Sequence, residues 1–230
     1  MSQPKSQLET FKAWAGVDSD ISYYLNSHHI DICDSMISER GYTPVKVSAS
    51  ASKGVAVGLG CDPITEDTIS LLVHWVHKSD ETKRGTAVYT ASWTAPQNAG
   101  VHSNQYFHYM ASTGEIRVDQ AKRGYDVADD NLVGKGLMWY NPFYMRYAPD
   151  EEGNFNGQGG YGYISFEKFV DGCRLVNEKG PEALEALDKR GLPTLGNTLA
   201  TTAILEAGRR ALDEGREIGI KETNGVWELI

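Results

Sequence analysis

Cysteine is scarce in these 230 residues, basic charge is nowhere concentrated, and no long apolar run occurs. Each shortage excludes a class of protein. Cys33, Cys61 and Cys173 are odd in number, widely spaced and without a C-x-x-C partner. That argues against a disulfide framework or a thiolate metal knuckle, and for reduced thiols in a cytoplasmic protein. With a formal charge of -9 and no Lys/Arg run, the chain lacks the electrostatic footprint of a nucleic-acid binder. A membrane-spanning helix needs about 18 consecutive apolar residues, and none are present. Residues 1–10 lack the apolar core of a secretory signal. Also missing is a G-x-G-x-x-G turn after a strand. The Gly-rich segment Gly54-Val55-Ala56-Val57-Gly58-Leu59-Gly60 has the wrong spacing and runs into Cys61-Asp62-Pro63, where proline blocks an immediate helix. It reads as a flexible connection between strands, so the sequence predicts no nucleotide-binding Rossmann domain.

What is present suits one soluble domain over residues 1–230. At 40% hydrophobic content, a chain of this length buries roughly 70% of its unfolded surface in a core. Apolar residues alternate with Ser, Thr, Lys or His at Val45/Val47/Ala49, Ile69/Leu71/Val73/Trp75 and Ala87/Tyr89/Ala91/Trp93. These are strands with one buried face. Thr86, Thr90, Ser92 and Thr94 fall on the other side, which is open to water, a ligand or another subunit. Ser112-Thr113-Gly114 is a tight turn between two further strands. A helical period marks the ends: residues 1–16 as a short amphipathic helix with Leu8, Phe11 and Trp14/Ala15 on one face, a stripe of Phe166, Phe169/Val170 and Cys173, a short helix at 182–189, and a long final helix through Leu199, Ala203, Leu205 and Leu212. The predicted class is α+β, a large and mainly antiparallel sheet with helices packed on one face.

Chemistry concentrates in Tyr23-Tyr24-Leu25-Asn26-Ser27-His28-His29-Ile30-Asp31. Ser27 reads as an N-cap and Ile30, Met36 and Ile37 as the apolar stripe of a helix over about 28–39. His28 and Asp31, three apart, then share a face. A carboxylate there can fix an imidazole in one tautomer while its other nitrogen points outward, as a general acid or base requires. Adjacent His28 and His29 diverge by about 100° on a helix, so this is not a metal site. The segment 136–163 is rich in aromatic residues, which serve either as a platform for the C–H faces of sugars or as pins holding a loop to a sheet.

This constellation resembles the second domain of the Gfo/Idh/MocA family of oxidoreductases, whose D-x-G-x-H-x-x-D motif places an Asp and a His over the substrate carbon that exchanges hydride. Laid on that motif, His28 and Asp31 match, Asn26 takes the place of the Gly, and Tyr24 that of the first Asp. The resemblance continues through Gly114-Glu115-Ile116-Arg117-Val118-Asp119-Gln120-Ala121-Lys122-Arg123-Gly124-Tyr125, Asn141-Pro142, Tyr147-Ala148-Pro149-Asp150 and Ala203-Ile204-Leu205-Glu206-Ala207-Gly208-Arg209-Arg210, and it points to a subgroup of sugar or galacturonate reductases. It implies catalytic roles for His28, Asp31 and Tyr24, substrate contacts from Asn26 and His29, and NAD(P) as cofactor. The family's Rossmann domain and its Glu-Lys-Pro lysine have no counterpart here. The expectation is therefore a substrate domain that does not bind the cofactor alone, served by a separate Rossmann domain or inactive, and self-associating through its sheet as family members do. The alternative is a non-catalytic domain that binds a ligand or a protein. Arg123, at a strand end in an acidic chain, has the planar fork that pairs with a sugar-acid carboxylate.

Overall fold

The computed structural model describes residues 1–98, 103–119, 124–131, 137–140, 147–149, 151–158 and 161–230. They form two compact units, Met1–Asn104 with Leu195–Ile230, and Gln105–Thr194.

The first unit opens with strand β1 (Ser2–Pro4), helix α1 (Lys5–Phe11), a π-helical turn (Ser22–Asn26) and helix α2 (Ser27–Ile37). Strand β2 (Tyr42–Ser52), the single turn α3 (Val55–Gly58), and strands β3 (Thr68–His77) and β4 (Asp80–Ala95) follow. The chain then builds the second unit from β5 (Tyr106–Met110), β6 (Gly114–Asp119), β7 (Gly124–Asp129), β8 (Leu137–Tyr140), β9 (Tyr147–Pro149), β10 (Phe155–Gln158), α4 (Tyr161–Lys179) and α5 (Ala183–Asp188). It returns to the first with α6 (Leu195–Glu214), β11 (Ile218–Thr223) and β12 (Val226–Leu229).

A six-stranded sheet in the order β1-β4-β3-β2-β11-β12 dominates the first unit. Only β1 runs parallel to its neighbour; the other pairs are antiparallel. Period-two patterning sets its faces. Val47, Ile69, Leu71, Val73, Trp75, Tyr89, Ala91, Trp93, Ile218 and Ile220 are buried together, and each large apolar side chain so buried contributes about 1.5–3 kcal/mol. The helices lie on this face. Trp14, just after α1, meets Trp93 edge-on, Cys33 of α2 reaches Tyr89, and Gly208 lets α6 settle where a Cβ would stand 2.6 Å from Leu71. The opposite face carries hydroxyl pairs such as Ser70–Thr90 and Thr68–Ser92.

Three local expectations change. Pro44 pairs with Trp75 and Lys46 with His74, so Val45 is the extra residue of a β-bulge and Pro44 takes the buried position. Residues 2–4 are strand because they extend the sheet edge beside β4, which shortens the first helix to Lys5–Phe11. Finally, residues 55–58 of the Gly-rich connection wind into one helical turn, because the Asp67 carboxylate accepts the N–H groups of Val55 (2.9 Å) and Ala56 (2.6 Å).

In the second unit β5 to β8 form an antiparallel meander and β9 and β10 a hairpin. Arg117 on β6 pairs with Glu115 and, across the ladder, with Asp126. The stripe read along α4 stands exposed at Phe166, Phe169 and Val170.

Candidate functional site

The helix carrying the His motif starts earlier than Ser27. Asp20 Oδ1 accepts the N–H of Tyr23 at 2.9 Å, the reach of an N-cap to the third helical residue. From Ser22 to Asn26 the chain winds as a π-helix, and the Ser27 N–H returns to the Ser22 carbonyl. Ser27 is thus an interior residue and caps nothing. The wider turn adds a residue and changes which side chains point inward, and such turns concentrate where position matters for function.

Its main effect falls on Asn26. Expected beside a substrate, Asn26 is fully buried. Its Nδ2 donates to Ser22 Oγ at 3.0 Å, and its Oδ1 has no partner among the described residues. A buried carbonyl oxygen left unpaired costs about 1–3 kcal/mol. Tyr24, on the other side of the turn, packs edge-to-face against Phe11 (5.1 Å) and Trp14 (5.5 Å), which holds its ring among aromatics.

His28 stands exposed on α2. No hydrogen bond joins it to Asp31 among the described residues. Asp31 Oδ1 accepts from Thr201 Oγ1 of α6 at 3.4 Å instead, so α6 rather than the histidine orients it. Half-buried His29 has its pKa pushed down to about 4, by burial first and then by the nearby positive amino terminus and His28. It is neutral at pH 7. Beneath the motif, Asp34 is raised to about 6 by burial and by the Asp31 charge, against an opposing pull from Lys78.

Sequence reading did not single out Arg209. Its Nη1 donates to Asp20 Oδ2 at 3.3 Å, so α6 fixes the residue that caps the motif helix. Burial holds Asp20 above the usual carboxylate range, while the Tyr23 N–H and Arg209 pull the other way. The only sequence signal for this tie was the Arg209-Arg210 pair inside the family-like final helix.

The Gly-rich turn offers its first amides to Asp67, which leaves them unavailable to a pyrophosphate. Among the described residues no group of three or more His, Cys, Asp or Glu side chains could hold a metal ion. Arg123 lies outside the described residues. The carboxylates near it in sequence, Glu115 and Asp126, are engaged by Arg117, and Glu115 also by His108 at 2.9 Å.

No family model and no curated protein matches the sequence. Solved structures do share the fold. A Thermotoga maritima protein described as an oxidoreductase superposes with a TM-score of 0.50 at 18% identity, over 85% of this chain and 45% of its own. Levoglucosan dehydrogenase, solved with NADH and levoglucosan, gives a TM-score of 0.51 at 13% identity, over 90% of this chain and 52% of its own. The chain therefore spans about half the length of these proteins. Both are Gfo/Idh/MocA-type oxidoreductases, and identities this low show a shared fold. The fold is therefore the one that the resemblance in the sequence implies.

Proposed function

We propose that this chain is the substrate-binding part of an NAD(P)-dependent oxidoreductase acting on a sugar or sugar acid, with the nucleotide-binding part supplied by another segment or another chain. The observation that carries this reading is His28, a solvent-facing imidazole on the π-started helix of a fold shared with a dehydrogenase that binds NADH and levoglucosan. In this reading His28 exchanges the proton of the reacting hydroxyl, Tyr24 shapes one wall of the site, and His29, neutral at pH 7, donates or accepts a hydrogen bond to the sugar. Asn26 acts from inside, setting the turn. Hydride transfer is the cofactor's chemistry, and no described residue assumes it. A galacturonate-like substrate would add Arg123 as the partner of its carboxylate.

A second reading has its own support. Asp31 bonds Thr201 rather than His28, and Tyr24 is packed among aromatics, so the motif also suits a non-catalytic domain that binds a carbohydrate-like ligand or a protein partner.

Imidazole nitrogen NMR separates the two readings from a purely structural motif. Addition of D-galactose or D-galacturonate should shift the His28 resonances in the wild-type chain, and His28→Ala should lose that binding. Unmoved His28 signals across neutral and acidic sugars would remove the substrate site. Calorimetry with NADH should give no binding tighter than about 100 μM, roughly 5.5 kcal/mol; tighter binding would show a cofactor site on this chain.

A further inference from the structure

Along α4, Tyr163, Phe166, Val170 and Cys173 follow one another at alternating steps of three and four residues, with Asn177 at the next step. That is the a/d seam of a coiled coil, a repeat that keeps one line of a helix turned toward a second helix. Phe169 and Val176 border the seam on one side, Glu167 and Arg174 on the other. Yet Phe166 is 76% exposed, Phe169 70% and Val170 44%, and Cys173 is exposed as well. Helix α5 leaves this line open because it packs elsewhere. Leu187 meets α4 at Gly172, where a Cβ would stand 3.4 Å from its Cδ1, and Gly172 lies about 160° round the helix from Val170. Single exposed apolar residues are ordinary, but a stripe of adjoining aromatic rings marks a surface that meets a partner.

The two borders of the seam select the partner and its direction. In a parallel pair of α4 helices each charged border faces the apolar border of the other copy, which sets Glu167 and Arg174 against Phe169 and Val176. A two-fold axis across the helices makes the pair antiparallel and turns each border to its own counterpart. With Val170 opposite Cys173 of the second copy, Glu167 comes beside Arg174 of the second copy, and Arg174 beside its Glu167. Both meetings join opposite charges. On the other border Phe169 and Val176 meet their own kind and close water out of the seam. The sequence of α4 is thus complementary to itself in one orientation, as an isologous interface requires. Arg174 gives up little in the exchange. Its present partner, Asp171, lies 3.8 Å away, and both side chains are well exposed, a pair worth little in water.

Area sets the strength. From these exposures, and about 150–250 Å2 for a whole aromatic side chain, the seam and its borders offer roughly 500 Å2 per copy. A total of about 1,000 Å2 is the size of a weak, reversible dimer.

We propose that α4 is a self-association surface on which a second copy of this chain docks its own α4, antiparallel, about a two-fold axis between Val170 and Cys173. It is a different surface from the sheet face expected to self-associate.

Sedimentation of the full chain in reducing buffer, from about 1 to 200 μM, tests this over the range where a weak dimer forms. The series is built on Val88→Lys, which charges the sheet face and so separates the two surfaces. Val88→Lys alone should still form dimers. Adding Glu167→Arg, or adding Arg174→Glu, places like charges together twice and should weaken the dimer about tenfold. Both changes in one chain should return the affinity to within about threefold of the parent, and an equimolar mixture of the two single variants should form mixed dimers as tight as the parent's. Phe166→Ser should abolish association. A monomeric Val88→Lys chain at the highest concentration would overturn the proposal. So would single variants that associate like their parent, or a double variant and a mixture that remain as weak as the singles, since a partner other than an antiparallel α4 has no reason to be rescued by the exchange. Should Phe166→Ser fail to melt cooperatively, the charge series decides alone.

Discussion

Two titrating residues on α2 oppose each other. Asp34 has a folded pKa of about 6 against an ordinary 3.8, so between these values the folded state holds the proton more tightly and folding becomes more favourable as pH falls. His29 does the reverse. With about 4 folded against 6.5 ordinarily, the unfolded chain takes up the proton first, and stability drains away as pH falls from 6.5 toward 4. Wild type should therefore show a muted response to acid across this window. Asp34→Asn should steepen the loss of stability between pH 6.5 and 4.5, and His29→Gln should turn it into a gain. Denaturant melts at several pH values check this, and parallel curves for all three proteins would refute it. Gly16 gives a second test at this scale. Its φ is +80° and a Cβ would lie 2.7 Å from the Thr65 Cα, so Gly16→Ala should cost about 1–3 kcal/mol in thermal or denaturant unfolding.

Among the elements, the helix that carries the motif depends on Asp20 at both ends of its carboxylate, one oxygen on the Tyr23 N–H and the other on Arg209. Asp20→Ala removes the cap and leaves a half-buried guanidinium short of a partner, with an expected loss of about 2–3 kcal/mol. Asp20→Asn keeps an acceptor for the cap and should lose less. Hydrogen exchange localises the effect: amides of Ser22–Asn26 should exchange faster in Asp20→Ala than in Asp20→Asn, with those in the middle of α6 unchanged. Strands β3 and β4 were legible in the sequence because burial of one face writes a period of two into it. The bulge at Val45 was not, since a one-residue slip leaves the composition of β2 untouched. Nor was the π-helical turn, which uses the same residues as an α-turn and is fixed by how Asn26 and Tyr24 must pack. In the candidate site, the exposed helix with His28 was legible from spacing. The Asp31–Thr201 bond and the Asp20–Arg209 tie were not, because their partners lie 170 and 189 residues apart and no local pattern encodes a meeting at that distance.

For the whole molecule, the face of the six-stranded sheet opposite its helices carries hydroxyl pairs and the exposed Val88, and we propose that it pairs with a second copy. Light scattering at micromolar concentration should give a dimer or larger, and a monomer would count against self-association through the sheet. One property of that sheet governs the order in which the chain can fold. Strands β2 and β11 are neighbours, yet residues 105–194 of the other unit lie between them in sequence. Residues 105–194 are contiguous in sequence. The sheet unit must bring together two distant stretches, and closing a long loop raises the entropy barrier to its completion. During synthesis β1 to β4 therefore wait with the β2 edge unpaired until α6 and β11 emerge. A refolding experiment should show this as a slow phase in the Trp75 and Trp93 environment, and the emerging chain would depend in that interval on whatever shields an open strand edge.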